Sequence, residues 1–525
     1  MMTNQQHSEK DQIIYKITAT LLLLHYIFVL LIANNISGLS VICFIVSILL
    51  FIPPSRHYFA NWCKNGHWLQ ASVFFMLSIS ANVLLEVNNK VSVVHHNLAF
   101  INANIIDGHK NSKIIENATL LVNEKGRITA IGTQETVAIP AEYKTIDVKG
   151  QYLLPGLINA HAHLLYEGAN FEDQVKIPEY MPPDWLWDLW QNNAGTVLNF
   201  YLFKRLVIAK MEKQALSALK AGVTTLRSLG DLSYTSVTLR KKISLGETIG
   251  PRIIAAGPML SVTGGHGSGA GVVFDGPTAA RKAVRTLVRN EVDAIKISNT
   301  GGILDSKRLG EAGQIQMTVA EIAAVTNEAH RKGLLVAAHA ESTQGVKEAL
   351  LGGVDSIEHG SKMTDEIIAL FKNNPKSLRG YTSYHPTLSI TPREWPYTEK
   401  IRNNRRLNII YQNNEQVRAD IISGFKQSIA EDVHVAVGTD SGAGLKNNLV
   451  WRELYLFTQH ADISNKEAIY MGTLATAQSI GIANETGSIE VGKSADFMIV
   501  NDNPYIDLSN LAKPSMVVMK GSIVN

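Results

Sequence analysis

The chain has 525 residues, 46% hydrophobic and 18% charged, and its 49 Lys and Arg against 46 Asp and Glu leave a formal net charge of +3. Domains usually run to roughly 100–200 residues, so more than one structural unit is expected, and so small a net charge excludes a nucleic-acid-binding surface as the organising feature. Cysteine occurs only at Cys43 and Cys63, which excludes a disulfide framework or a thiolate zinc site in the chain beyond them.

The apolar excess lies at the front. Runs at 17–33, 36–52 and 68–85 contain no charged residue, the second ending at Pro53-Pro54 and the third at Glu86. Each is near the lower end of the roughly 17–25 residues that a membrane-crossing helix needs. Residues 1–90 are therefore predicted to be a membrane anchor of three transmembrane helices. Lys10 and Lys16 precede the first run, and Arg56 and Lys64 lie between the second and third. Basic residues favour the cytoplasmic side. The N-terminus and the 53–67 loop are accordingly expected in the cytoplasm, and the rest of the chain outside it. In a Gram-negative cell that is an inner-membrane protein with a periplasmic catalytic domain.

From Asn97 the texture changes to short β-prone runs at 98–106, 118–122, 128–131 and 145–148, with Asp107-Gly108 and residues 123–126 as turns. The same texture returns at 497–500 and 516–519. Between these flanks, apolar strands alternate with Ala/Leu/Lys/Glu-rich helical stretches. The strands are predicted at 157–160, 224–228, 253–256, 294–298, 334–338, 356–358, 387–389 and 433–438. Eight strand–helix units argue an α/β fold, a closed parallel (β/α)8 TIM barrel, whose chemistry sits at the C-terminal ends of the strands.

Ligand-type residues fall at those ends. The first strand runs into His161-Ala162-His163, and alternation sends both imidazoles to one face. Two imidazoles side by side make a natural metal-binding pair. The fifth strand delivers His339, the sixth His359 and the eighth Asp440, within Gly438-Thr439-Asp440-Ser441-Gly442. The fourth carries Lys296 among Ala294, Ile295 and Ile297, an expensive place for an ammonium unless it is neutralised or paired. Singly, each has an ordinary explanation: a hydrogen-bonded core histidine, a snorkelling lysine, a turn or cap aspartate. Six at strand ends together point to a metal centre.

The order His-x-His, Lys, His, His, Asp resembles the binuclear site of the amidohydrolase superfamily. Two flanking phrases resemble it too, 154–163 (LPGLINAHAH) and 487–496 (GSIEVGKSAD). That resemblance covers nearly everything after residue 95. It implies a barrel over 154–482 and a small β-sandwich built from 97–153 and 483–525. It also implies two divalent metal ions, with zinc favoured. His161 and His163 would bind the more buried metal, and His339 and His359 the second. Lys296 would bridge them as a CO2-derived carbamate, and Asp440 would bind the buried metal and handle protons.

Thr263-Gly264-Gly265-His266-Gly267 and Ile357-Glu358-His359-Gly360 resemble the imidazolonepropionase-related group that includes Xaa-Pro dipeptidases. Ser268 departs from an acidic residue frequent in that group, and Asn159 from an Asp two positions before the first histidine. His266, after two glycines, is the candidate to hold a substrate carboxylate. The long stretch 166–205, with Tyr180, Trp185, Trp187, Trp190 and Tyr201, reads as a lid or a membrane-facing patch. The expected activity is hydrolysis of an amide or peptide C–N bond in a small carboxylate-bearing substrate, peptide or otherwise. A cyclic-amide hydrolase or deaminase, a lactonase or phosphotriesterase, and a membrane-tethered binding protein are the alternatives.

Overall fold

The computed structural model describes residues 96–168, 201–390, 397–442 and 445–524. The three apolar runs lie outside them, as do Tyr180, Trp185, Trp187 and Trp190. Among the described residues no helix is long and apolar enough to cross a membrane. Apart from Arg205–Lys210, these residues belong to one compact unit, Val91–Lys204 with Met211–Asn525.

The front of this unit forms β1 (Leu98–Ile105), β2 (Ile115–Val122), β3 (Ile128–Thr133), β4 (Lys144–Asp147) and β5 (Tyr152–Pro155). The barrel region then contributes β6 (Leu157–Ala162), β7 (Val223–Ser228), β8 (Arg252–Ala255), β9 (Leu260–Ser261) and β10 (Val272–Val273). It continues through β11 (Ala294–Ser298), β12 (Leu335–Ala340), β13 (Ser356–His359) and β14 (Ser383–His385). The C-terminus adds β15 (Phe497–Val500), β16 (Met516–Met519) and β17 (Ser522–Val524).

The flanking strands join in the order β17-β16-β15-β5-β1-β2-β3, with β4 also on β1. β1 serves two neighbours on one edge because its register shifts between Phe100 and Ala103 and again before Ile105. Its first half pairs with β4 and its last residues with β5. An irregularity of this kind bends a strand and re-aims the residues beyond it. Phe100, Leu120, Ile128, Leu153, Ile489, Phe497 and Val518 share one core. Phe100 meets Phe497 edge to face at 5.1 Å, joining the two ends of the sequence.

The barrel strands are parallel, with β6-β7-β8 in one ladder and β9-β11-β12-β13-β14 in the other. Two junctions close the ring. Asp293 N–H donates to Ala255 O at 2.7 Å, and Leu260 then pairs with Ile297, so β8 and β9 occupy one position beside β11. On the other side, residues 434–439 lie between β14 and β6. Tyr384 N–H donates to His434 O and Ala436 N–H to Tyr384 O, while Ala160 N–H donates to Val437 O.

Two expected strands are corrected. The seventh is β14, Ser383–His385, and Leu388–Ile390 is a short 3-10 turn. Pro386 has no N–H to donate, Thr387 sits at φ 49°, and the Glu453 carboxylate accepts from the Leu388 and Ser389 N–H groups at 2.6 and 2.8 Å. Donors that a ladder would need are thus taken by a side chain. The eighth, 433–438, forms one isolated bridge, Tyr384 to Val435, rather than a ladder, because its hydrogen bonds alternate between two neighbours.

Helix starts lie close behind the strand ends. Ser342 caps Thr343–Gly352 directly after β12, and Thr364 caps Asp365–Lys372 after β13. Each hydroxyl accepts an otherwise orphaned backbone N–H, and the short connections hold the strand ends still.

Candidate active site

β6, buried at every residue, delivers His161, and His163 comes one residue past its end. Asp440 Oδ1 lies 2.9 Å from His163 Nε2 and 3.4 Å from His161 Nε2. Asp440 has φ 49°, a left-handed conformation rare for a residue with a Cβ. Asn159 helps hold it there. Its amide nitrogen donates to Thr439 Oγ1 and Ser441 Oγ, at 2.7 and 3.1 Å, and its oxygen accepts from the His161 and Thr439 N–H groups, both at 3.1 Å. Asparagine can both donate and accept here, so the departure from Asp is matched by local hydrogen bonding. Gly442 (φ 94°) completes the turn, where a Cβ would come within 2.0 Å of His163 O.

A second cluster stands opposite. β12 carries His339, Glu341 comes directly after its last residue, and β13 ends on His359, itself at φ 69°. The His339 and His359 rings are 4.6 Å apart, and His161 to His359 is 5.2 Å, so the clusters adjoin. Strained residues gather where surrounding structure over-determines them, commonly at active sites. Lys296 on β11 is 2% exposed, and its charge acts on His161, His339 and His359 alike.

Secondary partners indicate which ring nitrogen is left for a ligand. His161 Nδ1 lies 2.9 Å from Glu358 Oε2, leaving Nε2. His359 Nδ1 is 2.8 Å from Thr387 Oγ1, again leaving Nε2. His339 Nε2 faces Gly301 O at 3.2 Å, leaving Nδ1.

The donor set fits divalent metal ions. Lys296 Nζ, Asp440 Oδ1 and Glu341 Oε2 are buried without a hydrogen bond, an arrangement that costs free energy unless a ligand offsets it. His161, His163 and Asp440 offer three donor atoms within 4.8 Å of one another, and His339, Glu341 and His359 offer another such set. Burial, with help from Lys296, pushes His161 down to about 4, and His339 and His359 fall well below the usual imidazole range. These rings are neutral, as ligands must be. Burial also lowers Lys296 to about 8, within reach of the neutral amine. Nitrogen and oxygen donors without thiolate suit zinc, manganese or iron.

Beneath these residues is a polar floor. Arg227 donates to Glu358 Oε1 at 2.7 Å and to Ala160 O at 2.6 Å, and lies 3.0 Å from His385 Nδ1. His385 Nε2 meets Ser479 Oγ at 2.6 Å. Burial works against the Glu358 charge, but His385 and Arg227 hold its carboxyl well below the usual range.

At the mouth, His266 Nδ1 is 2.6 Å from Asp305 Oδ2, and its ring is 4.5 Å from that of His339. Burial would lower its pKa, but Asp305 outweighs that and raises it. Gly302 lies under the ring, where a Cβ would come within 2.4 Å of His266 Cε1.

All six residues expected at the metal centre are thus brought together, with His266 beside them. Sequence reasoning missed Glu341, Glu358, Arg227, Asp305 and Thr387. Two had a readable signal. His339-Ala340-Glu341 repeats the i, i+2 pattern of His161-Ala162-His163, and Arg227 is a charge inside an apolar strand.

The chain is similar to several known proteins. Aspergillus niger ochratoxinase is 26% identical over 344 residues, covering 60% of this chain and 67% of the relative. A Bifidobacterium longum structure assigned as a candidate prolidase is 36% identical with a TM-score of 0.70, covering 82% of this chain and 95% of that one. A Xaa-Pro dipeptidase solved with methionine in its active site is 27% identical with a TM-score of 0.67, covering 82% of this chain and all of that one. The amidohydrolase family model matches residues 152–524, most of the chain. This chain belongs to the amidohydrolase family.

Proposed function

We propose that the protein is a metal-dependent hydrolase that cleaves an amide or peptide C–N bond in a small carboxylate-bearing substrate, in the manner of a dipeptidase or carboxypeptidase. The observation that carries this reading is the His266–Asp305 pair against the metal-binding histidines. With Nδ1 engaged by Asp305, Nε2–H is the group left for substrate. Asp305 favours the imidazolium, and a cation at this place suits a carboxylate. The Xaa-Pro dipeptidase relative supports the same class.

His161, His163 and Asp440 would hold one metal ion and His339 and His359 the other, with Lys296 as a carbamate between them. When bound, the pair supplies a water nucleophile usable at neutral pH and a Lewis acid for the scissile carbonyl. Asp440 is the general base. His161 and His163 outweigh its burial and hold its carboxyl well below the usual range, so it stands ionised. Its Oδ1 takes the proton of the attacking water and passes it to the leaving nitrogen. Glu358 orients His161, and Thr387 orients His359.

Turnover of a dipeptide library by the zinc-loaded protein tests this, with N-acyl amino acids, lactones and phosphotriesters alongside. Hydrolysis of acids bearing a free carboxylate, and not of their amides, is expected. Turnover confined to lactones or phosphotriesters would overturn it. The uncharged runs before residue 90 and their basic flanks support a membrane anchor with the catalytic domain outside the cytoplasm. A reporter fused after residue 90 and active only in the cytoplasm would contradict that placement.

A further inference from the structure

The proposed function leaves one buried acid of the barrel without a task. Glu453, in the helix Trp451–His460, is 0% exposed, and burial pushes its carboxyl up to about 8 despite the donors around it. A carboxyl in so dry a place is costly unless it is hydrogen-bonded, and both of its oxygens are directed at one short turn. Oε1 accepts from the Leu388 N–H at 2.6 Å, and Oε2 accepts from the Ser389 N–H at 2.8 Å and from the Ser389 hydroxyl. Both oxygens can accept whether or not the acid is protonated, so the grip does not depend on its charge.

The residue before this turn needs such a grip. Thr387 is fully buried at φ 49°, an outlying conformation for a β-branched residue. Strain of this kind persists only where neighbouring structure over-determines it. Thr387 also sets the state of His359. Its hydroxyl donates to Pro386 O at 2.8 Å, so towards His359 Nδ1, also at 2.8 Å, it can only accept. Burial keeps the His359 imidazole well below its usual range, hence neutral with a single ring proton. That proton is therefore on Nδ1, and the Nε2 lone pair is left for a ligand. The helix that carries Glu453 follows Asp440 in the chain, so its carboxyl ties the strand-end segment of one cluster to a ligand of the other.

We propose that Glu453 is a positioning residue for the second metal ion: by holding the turn at 388–389 it keeps the Thr387 hydroxyl on His359 Nδ1, and so keeps Nε2 free to bind. The consequence for metal rests on the metal-dependent reading above, whereas the tautomer rests on these hydrogen bonds alone.

The test is a zinc titration of the full-length protein, with the melting temperature followed alongside. Glu453→Gln keeps the shape but replaces one acceptor with an amide NH2. It should weaken the second ion by about 10- to 100-fold, the usual scale for losing a residue that orients a metal ligand, and leave the first within about threefold. Thr387→Val removes the hydroxyl and should do the same. The double variant should be no weaker than Thr387→Val alone, because both changes break one chain of contacts. Equal weakening of both ions would make Glu453 a merely structural clamp and overturn the proposal. So would an unchanged second affinity, or losses that add in the double variant. If Glu453→Gln does not fold, Ser389→Ala takes its place. It removes one donor to the same carboxyl and should weaken the second ion selectively, by about threefold or more. If wild type binds no second ion, the two-metal reading fails separately. Long-range 1H–15N correlations of histidine-labelled, metal-free protein then decide on Glu453. His359 should carry its proton on Nδ1 in wild type and on both nitrogens in exchange in Glu453→Gln, and the same single tautomer in both would overturn the proposal.

Discussion

Two adjoining layers of the barrel treat buried charge in opposite ways. In the floor, Arg227, Glu358 and His385 are fully buried, and none of their side-chain atoms is left without a partner. One layer up, Lys296, Asp440 and Glu341 are also buried, and each keeps an atom without a hydrogen bond. The floor is complete as folded, whereas the layer above it is complete only with something bound. Substitutions in the floor should therefore cost stability first, and substitutions in the upper layer should cost ligand binding and turnover.

The sharpest contrast is expected at Lys296. Lys296→Ala should lose bound metal and nearly all activity, yet the metal-free protein should melt no lower than metal-free wild type, because an unpaired buried amine has been removed. A short carboxylic acid such as acetate or propionate should restore part of the activity by replacing the bridge. Carbamate formation needs the neutral amine, and burial lowers Lys296 to about 8. Reconstitution of demetallated wild type should accordingly depend on bicarbonate and accelerate as pH rises through that value. A melting temperature well below wild type would break the contrast between the layers.

Glu358→Gln probes the floor. It leaves the Arg227 guanidinium buried against a neutral amide, and breaking a buried ion pair costs about 3–5 kcal/mol. Loss of the carboxylate behind His161 Nδ1 should also weaken metal binding by roughly 10- to 100-fold. Chemical denaturation of the metal-free protein separates the two effects. Full stability with weakened metal binding would show that the floor serves the ligands alone.

These layers were not equally legible in the sequence. The upper one was, because histidines at the ends of apolar strands stand out, and because His161, His163, Lys296, His339, His359 and Asp440 fall in order on or just past the first, fourth, fifth, sixth and eighth predicted strands. Glu358 and Arg227 lie inside strands, where a charge has no visible partner until β7, β13 and β14 come together. Asp305 lies in the loop after β11 and reads as a turn residue until His266 folds against it. Periodicity located β11, β15 and β16 at their observed bounds. It misplaced the seventh strand because Thr387 and Ser389 look β-prone, while Glu453, distant in sequence, takes the backbone donors there.

A smaller effect is expected at the rim, where His266 is half-way between the two layers: paired on one side, open on the other. His266→Ala should raise KM for a free α-carboxylate by about 10- to 150-fold and far less for the corresponding amide. The pH dependence has a definite sign. Asp305 raises the His266 pKa above 6.5 despite burial. Carboxylate binding is therefore full below that pKa and lost as pH rises through it. Asp305→Asn removes the main influence opposing burial and should move the loss to lower pH. An unshifted KM profile in Asp305→Asn would remove His266 from substrate recognition.

The most direct measurement of the central claim, that two adjoining clusters hold two divalent ions, is metal content per chain after reconstitution with zinc and bicarbonate. Two ions per chain are predicted for wild type, with His161→Ala and His339→Ala each binding fewer, and hydrolysis lost with them. Wild-type protein that turns over its substrate with no bound metal, or that keeps two ions when either histidine is removed, would contradict the account.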